Sequence, residues 1–280
     1  WARLRARPGV PFVVAGTNVV TEREEDLLAV AARVAEVGAS LDIPVVFKAS
    51  WDKANRTAAD AYRGQGMRQG LELLARVRRE LDLPVLTDVH EVHQVQAVAQ
   101  VADILQIPSF LCRQTDLIAA AADAGRIVNL KRGQFASASV MAHAVSKAKQ
   151  LGGAERVMVC ERGLMFGLDA LVFDPRQVAE LQRACGPEVP VLVDVTHACQ
   201  SPPSRDMHAS SGSRAMVPLV ARAAAAAGAD GIFIECHPDP ERAPVDSAVQ
   251  LHVDDLEPLL CDVLAIAEIT LRATARQPAT

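Results

Sequence analysis

Positively charged side chains recur at the ends of short apolar runs and in the loops that follow them. Together they are Lys48, Lys53, Arg56, Arg63, Arg113, Lys131, Arg132 and Arg162. Arginine recognises phosphate and carboxylate groups through paired donors, and lysine supplies a compact positive charge. Because the chain as a whole has a net charge of −5, this local excess of cations predicts a site that binds more than one anionic group. The alternative is ion pairing with Asp52, Asp60, Asp88, Asp116 and Glu161.

A second group of chemically active side chains lies towards the C-terminus. It consists of His197, Glu235, His237, Asp239 and Asp246. Imidazole and carboxylate groups at neighbouring strand ends bind divalent metal ions, although the HPDP string at 237–240 is equally typical of a turn in which proline fixes the backbone. A thiolate near the first apolar run would strengthen a metal site, but Asn18 stands there and offers only a neutral amide.

These side chains must be positioned by a repeated unit of an apolar run, a loop and a helical pattern. The apolar runs are Pro11–Val14, Val45–Lys48, Val85–Asp88, Ile104–Ile107, Ile127–Leu130, Val157–Cys160, Val191–Asp194 and Ile232–Glu235. The helical patterns are Glu22–Leu41, Met67–Leu81, Val92–Val101, Thr115–Ala124, Ser139–Gln150, Arg176–Ala184, Arg214–Ala227 and Asp254–Arg272. Continuous apolar runs are typical of parallel strands covered on both faces. The repeat predicts an α/β fold, a single-domain (β/α)8 TIM barrel over residues 1–280, in preference to a doubly wound open sheet.

In such a barrel, chemistry collects at the carboxyl ends of the strands. Charged or amide side chains end nearly every run, whereas the run starts carry proline, valine and isoleucine. Solvent exposure alone would place similar residues at both ends, so the asymmetry favours a site. The segments 49–66 and 197–213 are longer than plain connections need and are predicted to be functional loops. His90 is interpreted as a surface or capping residue.

Composition narrows the class of protein further. The chain is 50% hydrophobic and 22% charged, which is typical of a folded domain, and its acidic balance argues against nucleic acid as a partner. No apolar run in the sequence is long enough to span a bilayer, so a membrane is not an expected partner either. The six cysteines form no CxxC pair and fit reduced thiols. We therefore expect a cytoplasmic protein.

Seven strings in the sequence match a known family in order and spacing. They are FKASWDKANRT (47–57), TDVHE (87–91), QIPSFLCRQTDL (106–117), NLKRGQF (129–135), CERGLMFG (160–167), VDVTHACQ (193–200) and FIECHPDPERAPVD (233–246). From about Pro11 to the last helical pattern, the chain resembles the 3-deoxy-D-manno-octulosonate 8-phosphate synthases, also called 2-dehydro-3-deoxyphosphooctonate aldolases. The resemblance implies a homotetrameric barrel that condenses phosphoenolpyruvate with D-arabinose 5-phosphate and water, releasing phosphate. It also implies a role in lipopolysaccharide or plant-type wall polysaccharide synthesis.

The resemblance assigns roles to individual residues. Phosphoenolpyruvate would be bound by Lys48, Lys53, Gln106, Arg113, Lys131 and Arg162. Arabinose 5-phosphate would be bound by Asn55, Arg56, Thr57 and Asp88, with Arg56 and Thr57 near a subunit contact. The catalytic group beside the reacting carbons would be Asn18, Lys53, His197, Glu235 and Asp246. Two phosphates and one carboxylate would account for the excess of cations.

The family contains metal-dependent and metal-independent enzymes, and the former carry cysteine at the position of Asn18. Here His197, Glu235 and Asp246 are kept, but an amide is a poor substitute for a thiolate as a ligand of a divalent transition metal. The resemblance therefore predicts an enzyme that uses neither a metal ion nor another cofactor.

Several positions depart from the family pattern: Gln65, Arg132, Leu168, Asp169, the loop 201–213 and Ser247. Lost glycines restrict loops that adopt a positive φ or close over substrate. This leaves a weakly active or non-catalytic sugar-phosphate-binding paralogue as one alternative. A related barrel acting on erythrose 4-phosphate or a hexosamine is the enzymatic alternative, against which the NRT string at 55–57 argues.

Overall fold

Eight parallel strands close into a barrel. The computed structural model describes residues 1–7, 9–20, 23–56, 58–165, 170–201 and 211–275. The strands are β1 (Phe12–Val19), β2 (Val45–Ser50), β3 (Val85–Asp88), β4 (Ile104–Ile107), β5 (Ile127–Lys131), β6 (Val157–Glu161), β7 (Val191–Asp194) and β8 (Gly231–His237). They pair in chain order, and β8 pairs with β1 to complete the ring. The predicted (β/α)8 TIM barrel, formed as one domain, is confirmed.

Eight helices pack around this ring. They are α1 (Glu24–Ser40), α2 (Met67–Leu81), α3 (Val95–Val101), α4 (Thr115–Asp123), α5 (Ala138–Gly152), α6 (Arg176–Cys185), α7 (Val217–Ala226) and α8 (Leu256–Thr274). The patterns predicted over Val92–Val101 and Arg214–Ala227 each begin with a 3₁₀ turn before the α-helix. Within the described part of the chain, no helix has the length and apolar character of a membrane span.

Helix boundaries follow from local chemistry. In α2, Leu71, Leu74 and Val77 recur at helical spacing and are buried against the barrel, which explains its amphipathic pattern. Gly125 and Gly228 follow the ends of α4 and α7 and have φ values of 70° and 78°, the left-handed conformation that glycine adopts most readily after a helix.

Alternate side chains of the strands point into the barrel, and their character changes along each strand. Towards the N-terminal ends they are apolar and form one buried cluster: Phe12, Val14, Val46, Leu86, Ile104, Ile127, Met158, Cys160, Leu192 and Phe233. Two residues further along the same faces stand Lys48, Asp88, Gln106, Asn129, Arg162, Asp194 and Glu235. Because side chains in a strand repeat with a period of two, one alternation builds both the apolar floor and the polar layer above it.

A bulge in β1 sets the position of Asn18. Between its pairings with Lys48 and Ser50, β1 advances by three residues where β2 advances by two. The strands approach so closely here that a Cβ on Gly16 would lie 2.1 Å from the carbonyl oxygen of Lys48. A bulge re-aims the side chains near it, and Asn18 is buried among the polar groups of the interior. The predicted first run, Pro11–Val14, is therefore too short, because β1 continues past Asn18 to Val19.

Candidate active site

A cavity of about 580 Å³ opens at the carboxyl ends of the strands. It brings together most of the predicted site residues: Lys48, Lys53, Asn55, Arg56, Asp88, Gln106, Lys131, Arg162, His197 and Asp246. Asn18 and Glu235 lie just behind this lining and contact it through hydrogen bonds. Arg113 is exposed and does not line the cavity, and Thr57 lies outside the described residues.

Asp194 at the end of β7 holds two of the cavity residues. Its Oδ2 accepts from Lys131 Nζ at 2.6 Å and lies 2.7 Å from His197 Nδ1. Since a carboxylate only accepts, His197 donates from Nδ1 and turns Nε2 towards the cavity. Burial alone would raise the pKa of Asp194, but His197 and Lys131 outweigh it and hold that pKa well below its usual range.

The side chains of Asn18, His197, Glu235 and Asp246 form one buried cluster. The His197 ring meets it through Nε2. This atom lies 3.7 Å from Glu235 Oε2 and 3.6 Å from Asp246 Oδ2. His197, Glu235 and Asp246 each offer a ligand atom within 4.8 Å of the others, the one such group found among the described residues. Asn18 Nδ2 donates to Asp246 Oδ2 at 2.7 Å and also to Glu235 Oε2. The amide therefore bridges the two carboxylates through its hydrogens.

Glu235 is also paired with a buried lysine. Lys48 Nζ donates to Glu235 Oε1 at 2.7 Å and to the carbonyl oxygen of Asn18 at 3.0 Å. Burial works to lower the pKa of Lys48, but Glu235 and Asp88 outweigh it and raise that pKa above its ordinary value. Conversely, burial would raise the pKa of Glu235, yet Lys48 and His197 hold it below its usual range. Both groups therefore stay ionised at neutral pH.

Polar side chains on four consecutive strands, β2 to β5, form a hydrogen-bonded network in which Asp88 accepts from both sides. Gln106 Nε2 donates to Asp88 Oδ1 at 2.5 Å, and Asn129 Nδ2 donates to Gln106 Oε1 at 2.8 Å. Ser50 on β2 donates to the other carboxylate oxygen of Asp88. Burial would raise the pKa of Asp88, but Lys48 and the other nearby cations hold it well below its usual range. Asp88 is thus an acceptor fixed in direction at the cavity wall.

The loop after β2 carries Lys53 into the cavity. The Lys53 amide donates to the carbonyl oxygen of Arg63 at 2.8 Å, and Arg63 forms a two-pronged ion pair with Asp52. These contacts brace the loop on either side of Lys53. Burial and the neighbouring charge of Lys48 lower the pKa of Lys53 to about 8, so this lysine titrates near neutral pH.

Comparison with known proteins agrees with this geometry. The family model described as the DAHP synthetase I family matches residues 8–272. A 2-dehydro-3-deoxyphosphooctonate aldolase of Arabidopsis thaliana is 48% identical over 263 residues, 92% of this chain and 89% of the relative. Proteins of the same name from Verminephrobacter eiseniae and Nitratidesulfovibrio vulgaris are 48% and 46% identical, covering 93% and 95% of this chain and 92% and 94% of their own lengths. The chain belongs to the DAHP synthetase I family and, within it, to the family of the 2-dehydro-3-deoxyphosphooctonate aldolases.

Two of the predicted anion-binding cations in this family member serve as structural partners instead. Arg132 Nη1 pairs with Glu161 Oε2 at 2.5 Å, and its other nitrogens donate to the carbonyl oxygen of Ala136 and to Gln177. Arg63 pairs with Asp52. For these two residues, the ion-pair interpretation replaces the anion-binding one, because each guanidinium is engaged by a carboxylate and neither residue lines the cavity.

Two histidines lie in surroundings that the sequence did not predict. His90, interpreted as a surface or capping residue, lines the cavity with its ring 5.6 Å from that of Trp51. Burial lowers the pKa of His90, so its neutral form is favoured. His237, grouped with the metal-ligand candidates, accepts the amide hydrogen of Asp239 at Nδ1 instead and does not join the cluster around His197.

We expect the protein to lose stability as the pH falls below about 4. The pKa values of Asp88, Asp194 and Glu235 are lowered in the folded state, whereas unfolded carboxyl groups titrate near pH 4. Their stabilisation is therefore complete above the unfolded pKa and declines as pH falls below it. Urea unfolding between pH 7 and 3 checks this sign, and Asp88→Asn should flatten the profile. A free energy of unfolding that stayed constant from pH 5 to 3 would contradict it.

Proposed function

We propose that the protein condenses phosphoenolpyruvate with D-arabinose 5-phosphate and water, forming 3-deoxy-D-manno-octulosonate 8-phosphate and inorganic phosphate. The observation that carries the proposal is the convergence of Lys48, Lys53, Arg56, Lys131 and Arg162 on one cavity, in a chain whose relatives are 2-dehydro-3-deoxyphosphooctonate aldolases. The substrates together bring two phosphates and one carboxylate. Their charge complements that of the cavity.

Burial separates two regions within the cavity. Lys48, Lys131 and Arg162 are buried at strand ends, whereas Asn55 is exposed and Arg56 half-buried in the loop at the mouth. The compact phosphoenolpyruvate occupies the deep region, where its phosphate and carboxylate meet the buried cations. The sugar phosphate extends towards Asn55 and Arg56, which places its aldehyde end between the two regions, near Asp88 and Lys53.

The reaction forms one C–C bond and breaks one C–O bond. C3 of the enol ester attacks the aldehyde carbon, whose carbonyl electron pair moves to oxygen as an alkoxide that takes up a proton. Water adds to the electron-poor C2 and loses a proton, and the resulting hemiketal phosphate expels phosphate by C–O cleavage. The cavity supports these steps by alignment and by fixed charges that stabilise the developing alkoxide. His197, Glu235 and Asp246 lie beside the carbons that react.

We propose further that no metal ion takes part. Both oxygens of Glu235 are engaged, one by Lys48 and the other by Asn18. Asn18 also turns its amide hydrogens towards Asp246, so it acts as a donor where a metal site needs an anionic ligand. A divalent transition metal would lack a thiolate here. The ammonium of Lys48 and the neutral amide of Asn18 instead supply the hydrogen-bond donors that the carboxylates require.

A phosphate-release assay tests both proposals together. Purified protein should release phosphate from phosphoenolpyruvate only when arabinose 5-phosphate is present, and exhaustive chelation should leave that rate unchanged. Loss of activity on chelation with recovery on adding Zn²⁺ or Mn²⁺ would overturn metal independence alone. A preference for erythrose 4-phosphate in an aldose panel would overturn the substrate. Calorimetric binding of phosphoenolpyruvate without turnover on any aldose would favour the non-catalytic paralogue.

We propose that the protein assembles as a cytoplasmic homotetramer, with Arg56 and Thr57 near a subunit contact, and supplies the acidic sugar of lipopolysaccharide or a plant-type wall polysaccharide. Phe110 and Met165 line the cavity yet are 56% and 61% exposed in the single chain. Large apolar side chains exposed together at the rim of a site are typical of a protein contact. Light scattering after size exclusion should give four times the chain mass, and a monomer would refute the assembly.

The titration of Lys53 predicts how activity depends on pH. Because the pKa of Lys53 is about 8 in the free protein, kcat/KM for phosphoenolpyruvate should fall as the pH rises through that value and a positive charge leaves the cavity. Lys53→Arg keeps its charge over this range and should remove the alkaline decline while lowering the maximum. Steady-state kinetics between pH 6 and 10 provide the measurement. An identical alkaline limb in Lys53→Arg would assign the titration to another group.

A further inference from the structure

Asp246 adopts an unusual backbone conformation for a site residue. Its φ is 52°, in the left-handed region that non-glycine residues keep only where surrounding contacts impose it. From this conformation its Oδ2 accepts from Asn18 Nδ2 at 2.7 Å and lies 3.6 Å from His197 Nε2. The direction of the carboxylate therefore depends on whatever fixes the peptide groups around Asp246.

Four hydrogen bonds fix those peptide groups. Gln250, which is buried, donates from Nε2 to the carbonyl oxygen of Val245 at 2.7 Å. The amides of Val249 and Gln250 donate to the carbonyl oxygen of Asp246 itself at 3.0 and 3.2 Å. Arg214 Nη2 donates to the carbonyl oxygen of Ser247 at 2.8 Å. The first three contacts arise within the same segment, whereas Arg214 reaches it from the turn that precedes α7.

Arg214 is held in place by a contact of its side chain and by the backbone that precedes it. Its Nη1 pairs with Glu241 Oε1 at 2.6 Å, on the segment that leads from β8 towards Asp246. On its N-terminal side, the antiparallel pair of Gln200–Ser201 with Ser211–Gly212 connects it to the cavity rim. Because a guanidinium is planar and rigid, it fixes the directions of the two groups that it binds, here Glu241 and the Ser247 carbonyl. Arg214 therefore holds the Asp246 segment in a defined position against the base of the loop after β7.

We infer that Arg214 is a positioning residue for Asp246, and that its bond to the Ser247 carbonyl directs the Asp246 carboxylate towards Asn18 and His197. The inference rests on the proposed condensation, in which Asp246 lies beside the reacting carbons. Arg214 does not line the cavity. The buried cations proposed to bind the anionic groups, Lys48, Lys131 and Arg162, lie at the ends of β2, β5 and β6. Its loss should therefore slow the chemical step with little change in the binding of phosphoenolpyruvate.

Arg214→Met tests this role because methionine keeps an apolar stem and removes the donors. We expect kcat to fall on the order of tenfold to 100-fold, as for a misplaced catalytic group, with KM for phosphoenolpyruvate changed by less than about twofold. Arg214→Lys keeps one charged donor and should recover part of kcat. Arg222→Met is the matched control, since Arg222 pairs with Asp262 outside the site, and it should leave both constants unchanged.

Crystal structures of the variants separate this inference from the proposed function. In Arg214→Met, Asp246 should relax to a negative φ and its contact with Asn18 should lengthen beyond hydrogen-bonding distance. This readout holds even if the unmodified protein forms no product, an outcome that would refute the condensation alone. Wild-type kcat in Arg214→Met, or an unchanged Asp246 conformation, would overturn the role of Arg214. If Arg214→Met does not fold, the same two measurements on Arg214→Lys decide, with wild-type values again overturning it.

Discussion

Lys131→Met should fold normally and lose at least about 100-fold in kcat/KM for phosphoenolpyruvate. Lys131 Nζ lies at the cavity wall, 4.2 Å from the centre of the Phe233 ring, where little water is available to screen its charge. A charge-assisted hydrogen bond in such a setting contributes about 3 kcal/mol, which corresponds to a loss of that size. The fall should appear mainly as weaker binding of phosphoenolpyruvate.

The fold should survive because Asp194 keeps other partners after Lys131 is removed. Its Oδ1 accepts from the amides of Thr196 and His197 at 3.2 and 2.9 Å, and its Oδ2 keeps the imidazole. Lys149→Met is the matched control, because Lys149 pairs with the exposed Glu188 away from the cavity. Calorimetric titration with phosphoenolpyruvate and circular dichroism of both variants provide the measurement. If Lys131→Met unfolds and Lys149→Met does not, Lys131 is a structural residue and the prediction is wrong.

Strand periodicity explains why so much of the site was predictable. An inward-facing apolar residue fixes the direction of the residue two positions later, so Val46 predicts Lys48 and Leu192 predicts Asp194. Since parallel strands end at one rim, the polar residue that follows each apolar run must enter the same space. The cavity confirms this placement for Lys48, Asp88, Gln106, Lys131 and Arg162. Predicting these positions requires only the alternation within each strand and no knowledge of which strands are neighbours.

The same periodicity also predicts the direction of Arg132, which the count of cations had grouped with the anion-binding residues. Lys131 faces the interior, so Arg132 must face the helices, as does Glu161, which directly precedes the inward-facing Arg162. The two outward residues meet as an ion pair between strand and helix layers. A count of cations that ignores this alternation of inward and outward positions cannot separate Arg132 from Lys131 and Arg162. The alternation can be read from the sequence and is the signal that separates the structural cation from the anion-binding ones.

Other features depend on contacts that no local pattern reports. The bulge that places Asn18 follows from the close approach of Gly16 to the backbone of β2. The position of His90 follows from packing against Trp51, which lies in a different loop. The exposure of Arg113 in the single chain depends on where a short turn directs the chain after β4. Each requires the relative placement of two segments, which periodicity within one segment does not determine.

Asp194→Asn should weaken both the fold and the activity. Asp194 is fully buried and is the carboxylate shared by Lys131 and His197. Neutralising it leaves a buried ammonium without its counter-charge, which costs about 3 kcal/mol of unfolding free energy when one partner of a buried pair is lost. An asparagine in addition offers hydrogens where Lys131 and His197 both donate, so the two side chains should separate.

The activity of Asp194→Asn should fall further than its stability alone explains. The carboxylate fixes which nitrogen of His197 faces Glu235 and Asp246 and holds Lys131 at the cavity wall, so its loss misplaces two groups and should lower kcat/KM by on the order of 100-fold or more. Urea unfolding and kinetics well below the denaturation midpoint separate the two effects. Asp262→Asn, which disrupts the exposed pair with Arg222, should change neither. If Asp194→Asn were less stable but kept wild-type kinetics, the prediction would be wrong. The Asp194 carboxylate would then have a structural role only, and packing would suffice to position Lys131 and His197.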